Sequence, residues 1–514
     1  MAVQFPLGPN QRVSTSFVGQ YLFSQSVKQV DRPLADAIAG EGQWRKHYGR
    51  HLLAYQQAAS ENVTAAQLMA SEGLSQAHQV FQFETPFGRE SLRDVMQKAL
   101  LDGGRFRVAT AHIKGQAPEV NKAYLSQVLG SSLDSFQARL KQWVQQGVVE
   151  ASHYDDVANL LKHPQRLNLK GQVFVVLGAT SEVGPLRTLL ALGATVYAVS
   201  RPSAERWSAL IDFARSTPGC LKIPCKGIEQ ARVKQADDHQ VAQWAGLDLL
   251  EDTPEIAPWL LEIPEPFTLG CYAYLHGEAH VRVVMAMDAV TDAVLSRRHD
   301  VSLAYLLTPS DLYTVKQDII DANQATRQWG FIAKSLRRSI KCLSLGRWFS
   351  HNIVLEGTDN QGDAYGVLDN LVPQQGPNYV LAKRIQRWRA IEASRQGVAV
   401  SCNVAPAAST QSVMTRPLFL AASMGAEAFG VKVFSPKDVN LVMTLQMLHD
   451  VKSGTIREQG ENLFLRGANH GGAWRMGFQF RSLLLLSVAA GFYRKWFKRR
   501  TDSTGSVYSD ISAS

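Results

Sequence analysis

The chain has 514 residues, a formal net charge of +9 and 45% hydrophobic residues. This composition excludes a wholly disordered, collagen-like or coiled-coil protein, and the length predicts about two to four domains. Five cysteines, none in a CxxC pair or at metal-ligand spacing with histidine, predict reduced thiols, a cytoplasmic protein and no metal site. The basic balance permits an anionic partner without establishing one.

Residues 1–165 are predicted to form a mostly helical domain. From Leu133 and Phe136 onward, apolar residues recur at helical spacing, and 105–113 is typical of a strand. We find no catalytic motif in this part of the sequence, so its role is interpreted as that of a scaffold or lid. Residues 1–10 lack the charged and apolar regions of a secretory signal, and we expect none.

Near residue 166 the mostly helical pattern gives way to apolar strands and a glycine-containing turn. This change marks the start of a second predicted domain, 166–475. Val173–Leu177 is a continuous apolar run, as expected for a strand buried on both faces. The glycine-containing turn Gly178–Gly184, a helix at Leu186–Ala191 and a second apolar strand at Ala194–Val199 follow. This order predicts an α/β fold with a doubly wound, Rossmann-like parallel sheet.

Further apolar runs, separated by helical segments, predict more strands of the same parallel sheet. They are Val301–Leu307, Ile340–Leu345, Val398–Val404 and Glu461–Leu465.

The register of the fourth strand has two interpretations. We prefer Val301–Leu307, with Thr308–Asp311 as the turn that faces a cofactor. This register predicts insertions near 226–298 and near 347–370, the second forming a flap over the substrate. The alternative takes Phe267–Leu275 as the fourth strand, which places most of the inserted residues later in the chain.

The glycine turn predicts a dinucleotide site. A turn that leads directly into a helix exposes backbone N–H groups, which bind a pyrophosphate. We expect Gly178, Thr180, Ser181 and Gly184 to line this site. Glu182 in the same turn is unfavourable for this site, because its carboxylate would repel a pyrophosphate unless the side chain points away.

The end of the second strand predicts which nucleotide binds. Ser200 and Arg201 follow that strand, where a carboxylate would bind the ribose hydroxyls of NAD. An arginine suits a 2′-phosphate instead, so the sequence favours NADP. The alternative is that Arg201 is only a solvated strand end.

Several segments within residues 168–472 form a pattern that is more specific in combination than singly. They are the turn Gly178–Gly184, the pair Tyr379-x-x-x-Lys383, the strand and turn Val400–Pro406, the capped helix start Ser435–Val439, and Ser453–Gly472 as a last strand. In this order they resemble the short-chain dehydrogenase/reductase family. The resemblance implies carbonyl–alcohol interconversion and a homo-oligomer.

The resemblance implies a role for each member of the tyrosine–lysine pair. Residues four apart lie on one face of a helix, so Tyr379 and Lys383 are expected side by side. The lysine would lower the pKa of the tyrosine and reach the nicotinamide ribose. Tyr379 would then donate a proton to the substrate carbonyl as hydride arrives from NADPH.

The other expected members of the family's site are displaced or altered. The best candidate for the catalytic serine is Ser344, at the end of the predicted fifth strand, with Ser350 behind it. Asn323 either matches the family's proton-relay asparagine or is a surface residue. Pro406 is expected beside the cofactor, with Ala407 in place of a glycine.

The C-terminal segment, 476–514, is apolar and then basic. Ser482–Tyr493 is uncharged, and Arg494–Arg500 is rich in lysine and arginine. Twelve helical residues cover about 18 Å, less than the roughly 30 Å of a bilayer core. The segment either lies on an anionic membrane surface or packs on its own domain or a sister subunit. The tail 501–514 is predicted to be disordered.

Two functional hypotheses follow. The first is an NADP(H)-dependent oxidoreductase acting on an apolar fatty-acyl, polyketide or sterol-like ketone or alcohol. The second is a non-catalytic nucleotide-binding scaffold of the same fold, favoured by the missing central glycine and the displaced serine. A nucleic-acid partner is not expected, because the basic cluster is confined to one short segment.

Overall fold

The computed structural model describes residues 1–8, 13–326, 348–415, 417–453 and 459–505. Within these ranges the protein is α/β, with a seven-stranded, mostly parallel sheet and two small three-stranded sheets. The predicted strand Ile340–Leu345 and the candidate Ser344 lie outside the described residues.

The strands and helices are as follows, in chain order. The strands are β1 (Val3–Gln4), β2 (Gln82–Thr85), β3 (Gly88–Ser91), β4 (Val108–Lys114), β5 (Val173–Leu177), β6 (Thr195–Val199), β7 (Cys220–Lys226), β8 (Phe267–Cys271), β9 (Val301–Leu307), β10 (Leu312–Lys316), β11 (Ile353–Thr358), β12 (Ala364–Asp369) and β13 (Val400–Val404). The helices are α1 (Thr15–Val27), α2 (Arg32–Ala39), α3 (Trp44–Ser60), α4 (Val63–Val80), α5 (Leu92–Asp102), α6 (Lys122–Leu129), α7 (Leu133–Gln145), α8 (Ala151–Leu161), α9 (Leu186–Ala191), α10 (Ala204–Arg215), α11 (Gln230–Gln235), α12 (Asp238–Trp244), α13 (Thr253–Leu261), α14 (Glu278–Leu295), α15 (Gln317–Thr326), α16 (Gly376–Arg395), α17 (Gln411–Met414), α18 (Pro417–Ala426), α19 (Pro436–Ser453) and α20 (Phe480–Gly505).

The main sheet has the order β13-β9-β8-β5-β6-β7-β4. All its pairs are parallel except β4 with β7. Successive side chains of a strand point to opposite faces, and β5 shows both faces covered. Val173 and Val175 belong to one hydrophobic cluster and Phe174 and Val176 to the other. This double burial explains why β5 is apolar throughout.

Several predicted elements are confirmed and one is wrong. The strands predicted at 173–177 and 301–307 and the helix at 186–191 are present. Glu461–Leu465 is not a strand, because a 3-10 helix, Gly460–Phe464, occupies that place. The short helix turns the Glu461 carboxylate inward, where it forms a buried ion pair with Arg387.

The preferred register of the fourth strand is wrong. β8 pairs directly with β5, and β9 pairs with the far side of β8. Phe267–Cys271 is therefore the fourth strand, and Val301–Leu307 is the fifth. The excess length lies after β9, where β10, β11 and β12 form an antiparallel sheet of their own. Gly270 lowered the strand signal of β8, and a side chain there would collide with the ring of Tyr272.

The first 165 residues share their packing with the main sheet. β4, close to the strand predicted at 105–113, forms its antiparallel edge. Helices α1 and α4 pack against α16. The contact is close, because a Cβ at Gly73 of α4 would lie 2.7 Å from the ring of Trp388 of α16. Leu22 of α1 and Leu269 of β8 belong to one hydrophobic core.

The apolar segment Ser482–Tyr493 lies within α20. In the part of the chain that the structure describes, we find no helix that combines the length and the hydropathy needed to cross a membrane.

Candidate functional site

A cavity of about 700 Å³ lies at the carboxyl ends of the central parallel strands. Its walls include Gly178 after β5, Ser200 after β6, Tyr272 after β8, Thr308 after β9 and Ala405 after β13. Ligands of open α/β sheets bind at this edge, where the strand order reverses. The cavity is therefore the candidate functional site.

The glycine turn forms one end of this cavity. Gly178 has φ +95°, and a Cβ there would collide with the backbone nitrogen of Ala273, so only glycine fits. The hydroxyls of Thr180 and Ser200 lie 3.0 Å apart and tie the turn to the end of β6. Gly178, Thr180 and Ser181 line the cavity. Gly184 does not line it, and its carbonyl accepts a hydrogen bond from the Asn440 side chain.

Glu182 also lies at this end, and its carboxylate is turned toward a neighbouring loop. It accepts a hydrogen bond from the backbone N–H of Gln411, the first residue of α17, at 3.2 Å. The side chain remains exposed and lines the cavity. An anionic group bound beside Ser181 would therefore meet a negative charge.

The same end of the cavity is basic where it meets the end of β6. Arg201 and Arg206 are exposed and line the cavity there. Asp248 lines the same end, and its side chain accepts from the backbone N–H of Leu250. Two guanidinium groups are thus available for a phosphate.

Tyr379 and Lys383 lie one turn apart on α16, and both line the cavity. Lys383 Nζ donates to the carbonyl of Leu306 at 2.9 Å and to Gln386 Oε1 at 3.0 Å. Burial lowers the pKa of Lys383 to about 8. Burial raises the pKa of Tyr379, the Thr308 hydroxyl partly opposes this rise, and Tyr274 and Asp311 add to it. The direction for Tyr379 is opposite to the predicted one, because desolvation dominates.

Thr308 is a site residue that the preferred register obscured. It follows the fifth strand directly and lines the cavity with Tyr379, whose pKa its hydroxyl lowers. Its Oγ1 also lies 2.8 Å from Ser310 Oγ, and its carbonyl accepts from the Tyr313 hydroxyl at 2.6 Å. The alternative register would have placed this hydroxyl pair at the end of the fifth strand, where the family resemblance expects the catalytic serine.

Two other predicted candidates lie elsewhere. Asn323 is fully buried on α15 and donates to Asn352 Oδ1 at 2.8 Å and to the carbonyl of Trp474 at 3.0 Å. Neither Asn323 nor Ser350 lines the cavity. The expected relay role of Asn323 is not supported, because α15 follows β10 of the small sheet rather than the fourth strand. Pro406 lines the cavity as predicted.

His280 is a second residue that the sequence reasoning missed. It lies in the first turn of α14, 2% exposed, with its ring stacked on that of Tyr379 and close to that of Tyr274. Neither ring nitrogen has a hydrogen-bond partner among the described residues. Burial, with the nearby Lys383, lowers the pKa of His280 well below its usual value. His280 is therefore a neutral imidazole on the cavity wall. The available signal was His276 and His280, four residues apart after the fourth strand.

The other end of the cavity is apolar and is walled by α18 and α20. No residue of 348–370 lines it, so the predicted flap over the substrate is wrong. That segment instead pairs with β10, and Leu368 is buried in the core. The apolar wall is formed by Phe419, Ala422, Phe429, Met476, Leu483 and Leu484.

One cluster of metal-ligand residue types lies away from this cavity. Ligand atoms of Asp156, His449 and Asp450 lie within 4.8 Å of one another. Gln446 donates to both carboxylates, and Arg466 pairs with Asp156. The cluster is a hydrogen-bonded polar network whose acceptors are already used.

Comparisons with family models, with curated proteins and with solved structures find no match for this chain.

Proposed function

We propose that the protein is an NADPH-dependent oxidoreductase that interconverts a carbonyl and an alcohol on an apolar substrate. The observation that carries this proposal is one cavity that joins the Gly178 turn, the Tyr379–Thr308 pair and an apolar wall. The order β7-β6-β5-β8-β9-β13 matches the 3-2-1-4-5-6 order of dinucleotide-binding sheets. It supports a Rossmann-like fold related to short-chain dehydrogenases/reductases.

The residues at the nucleotide end fit NADPH in most respects. Gly178 permits the tight turn against the backbone after β8, and Arg201 and Arg206 suit a 2′-phosphate. Glu182 is the unfavourable member. Bound NADPH would supply the hydride, and the protein supplies orientation and the proton.

Tyr379 would act as the proton donor. Its raised pKa keeps the hydroxyl protonated, and the Thr308 hydroxyl lines the same cavity. As the proton moves to the carbonyl oxygen, negative charge develops on the tyrosine. The Lys383 ammonium, one turn along α16, would stabilise that charge. The overall change is ketone, NADPH and a proton to alcohol and NADP⁺.

The apolar wall formed by α18 and α20 supports an apolar substrate, such as a fatty-acyl, polyketide or sterol-like ketone. We also propose a cytoplasmic location. Four cysteines of the described residues, Cys220, Cys225, Cys271 and Cys402, are free thiols, which suits a reducing compartment.

The test is a fluorescence titration of the full chain with NADPH and NADH, followed by turnover on a panel of apolar ketones. We expect Tyr379→Phe to bind NADPH as the unmodified protein does and to lose at least about 100-fold in turnover. Tyr124→Phe, on the distant helix α6, is the matched control. Failure to bind either nucleotide, or full turnover by Tyr379→Phe, would contradict the proposal.

A nucleotide-binding scaffold without turnover is the second candidate. It is favoured by the exposed Glu182 carboxylate on the turn and by the short helix α9, which has six residues. NADPH binding that is unaffected by Glu182→Gln, without turnover on any ketone, would favour this function.

A further inference from the structure

Helices α18 and α20 form a closely packed antiparallel pair. Gly425 faces Ser487, and Gly491 faces Ala421, so the chain directions oppose each other. A Cβ at either glycine would collide with a backbone carbonyl of the other helix. The two backbones touch, and the pair forms one rigid unit.

One side of this pair is covered, and the other is an exposed apolar stripe. Leu483 and Leu484 face the cavity. Leu485, Ala489 and Phe492 recur at helical spacing on the exposed side, where Leu485 is 65% and Phe492 is 47% exposed. Leu418 of α18 is 64% exposed. Burying apolar side chains of this size in a nonaqueous environment is favourable.

The stripe ends in positive charge. Residues 480–501 include no aspartate or glutamate, and Arg494 begins a run that contains Lys495, Lys498, Arg499 and Arg500. Because α18 runs antiparallel to α20, the exposed Leu418 lies near the basic end of α20. Arg494 itself pairs with Glu427 at 2.7 Å, and the other basic residues follow it along the same helix.

We propose that the apolar surface formed by Leu418, Leu485, Ala489 and Phe492, with the basic run 494–500 that follows it in the sequence, docks on an anionic lipid bilayer. The apolar stripe would enter the region between headgroups and acyl chains, and the cations would bind the headgroups. A second copy of the chain is a poorer occupant, because it carries the same net charge of +9.

The docking surface adjoins the apolar end of the cavity. Phe419 lines the cavity and is also 37% exposed beside Leu418. One helix layer, with Leu484 on its inner side and Leu485 on its outer side, separates the cavity from the proposed bilayer contact.

The experiment is cosedimentation of the full chain with vesicles of phosphatidylcholine, alone or mixed with phosphatidylserine. One variant combines Leu485→Gln with Phe492→Gln, and another combines Lys495→Gln, Lys498→Gln and Arg499→Gln. The control combines Phe87→Gln with Leu101→Gln, two strongly exposed side chains outside this surface. Circular dichroism checks that each variant is folded.

We expect binding to the anionic vesicles that weakens as salt rises, with each surface variant at least about tenfold weaker and the control unchanged. Absence of binding, or equal binding by the surface variants, would overturn the proposal. Sedimentation velocity tests the other occupant: a dimer that Leu485→Gln and Phe492→Gln dissociate, without vesicle binding, would assign the surface to a second copy. None of these readouts requires nucleotide or turnover, so their failure is separate from failure of the proposed oxidoreductase function.

Discussion

The imidazole ring of His280 lies nearly parallel to the phenol ring of Tyr379, with ring centroids 5.6 Å apart and planes 26° apart. The tyrosine ring thus has a fixed neighbour on one face. The histidine pKa is lowered well below its usual value, so the contact brings no positive charge to the tyrosine at neutral pH. The ring of Tyr379 is positioned by packing against His280 rather than by a charged partner.

His280→Phe tests whether the imidazole serves more than packing. Phenylalanine keeps a ring beside Tyr379 and removes two buried nitrogens without partners, so we expect the free energy of unfolding in urea to rise by up to about 1 kcal/mol. If the imidazole hydrogen-bonds the substrate, KM will rise as well. His153→Phe is the control, because both its ring nitrogens are also buried without partners but it does not line the cavity. A large loss of stability in His280→Phe alone would contradict this account.

Stability is expected to fall as the pH falls from about 6.5 toward 4. Burial lowers the pKa of His153 to about 4 from 6.5, so in this range the unfolded chain binds more protons than the folded one. Each proton changes stability by about 1.4 kcal/mol per pH unit, or about 3 kcal/mol over the range. The carboxyls with lowered pKa, such as Glu150, lose their contribution only below about pH 4.5. Urea unfolding at pH 7, 6 and 5 should show a flatter slope for His153→Phe than for the unmodified protein.

Glu461→Gln is expected to destabilise the fold strongly. The Glu461 carboxylate pairs with the fully buried Arg387 and accepts from Gln56 Nε2 at 2.7 Å. Removing its charge leaves two buried guanidinium groups, those of Arg384 and Arg387, with Asp311 as the remaining carboxylate, at a cost of about 3–5 kcal/mol in urea unfolding. The exposed pair Lys98–Glu90 provides the control, since Glu90→Gln should cost at most about 1 kcal/mol. Similar losses in both variants would refute the argument from burial.

Gly178→Ala is expected to destabilise the turn by two effects, backbone strain and a steric collision. The same substitution at a second glycine separates them. Alanine at φ +95° is strained, and its methyl group would also collide with Ala273. Gly171→Ala, at φ +81° with open space around it, has the strain alone, about 1–3 kcal/mol. We expect Gly178→Ala to lose more stability than Gly171→Ala in thermal unfolding, and to lose NADPH binding. Equal effects would mean that the turn moves to accept the methyl group.

Thr308→Val removes the hydroxyl that lowers the pKa of Tyr379 and keeps the shape of the side chain. We expect turnover on the best ketone of the panel to fall about tenfold to 100-fold, with NADPH binding unchanged. Thr308→Ser restores the hydroxyl and should recover most of the rate. No recovery would indicate that packing of the Thr308 methyl group, rather than its hydroxyl, matters.

The sequence predicts the parts of this fold that depend on local pattern. β5 is recognisable because both its faces are buried, and the turn after it because Gly178 must approach a neighbouring strand. β8 is weaker, because Gly270 and Cys271 replace the β-branched residues of a typical buried strand. Its misassignment put Val301–Leu307 in the fourth place and Ile340–Leu345 in the fifth, so Thr308 was expected in a cofactor-facing turn and Ser344 in the place of the catalytic serine.

Other features depend on contacts between distant parts of the chain. Glu461 is held by residues of α3 and α16, and no local pattern of 461–465 records this. The stacking of His280 on Tyr379 likewise requires the order of β8 and β9. Pairings of this kind are fixed by tertiary packing, which overrides local strand propensity.

A hydrogen bond joins Gln56 to Glu461, which lies 405 positions later in the chain. This separation has a consequence for folding while the chain is being synthesised. At roughly 5–20 residues per second, about 20–80 s pass between the addition of the two residues on the ribosome. During that interval α1, α3 and α4 lack the helix α16 on which they pack. The nascent N-terminal region would therefore carry exposed apolar surface for most of translation, the condition under which incomplete folds aggregate.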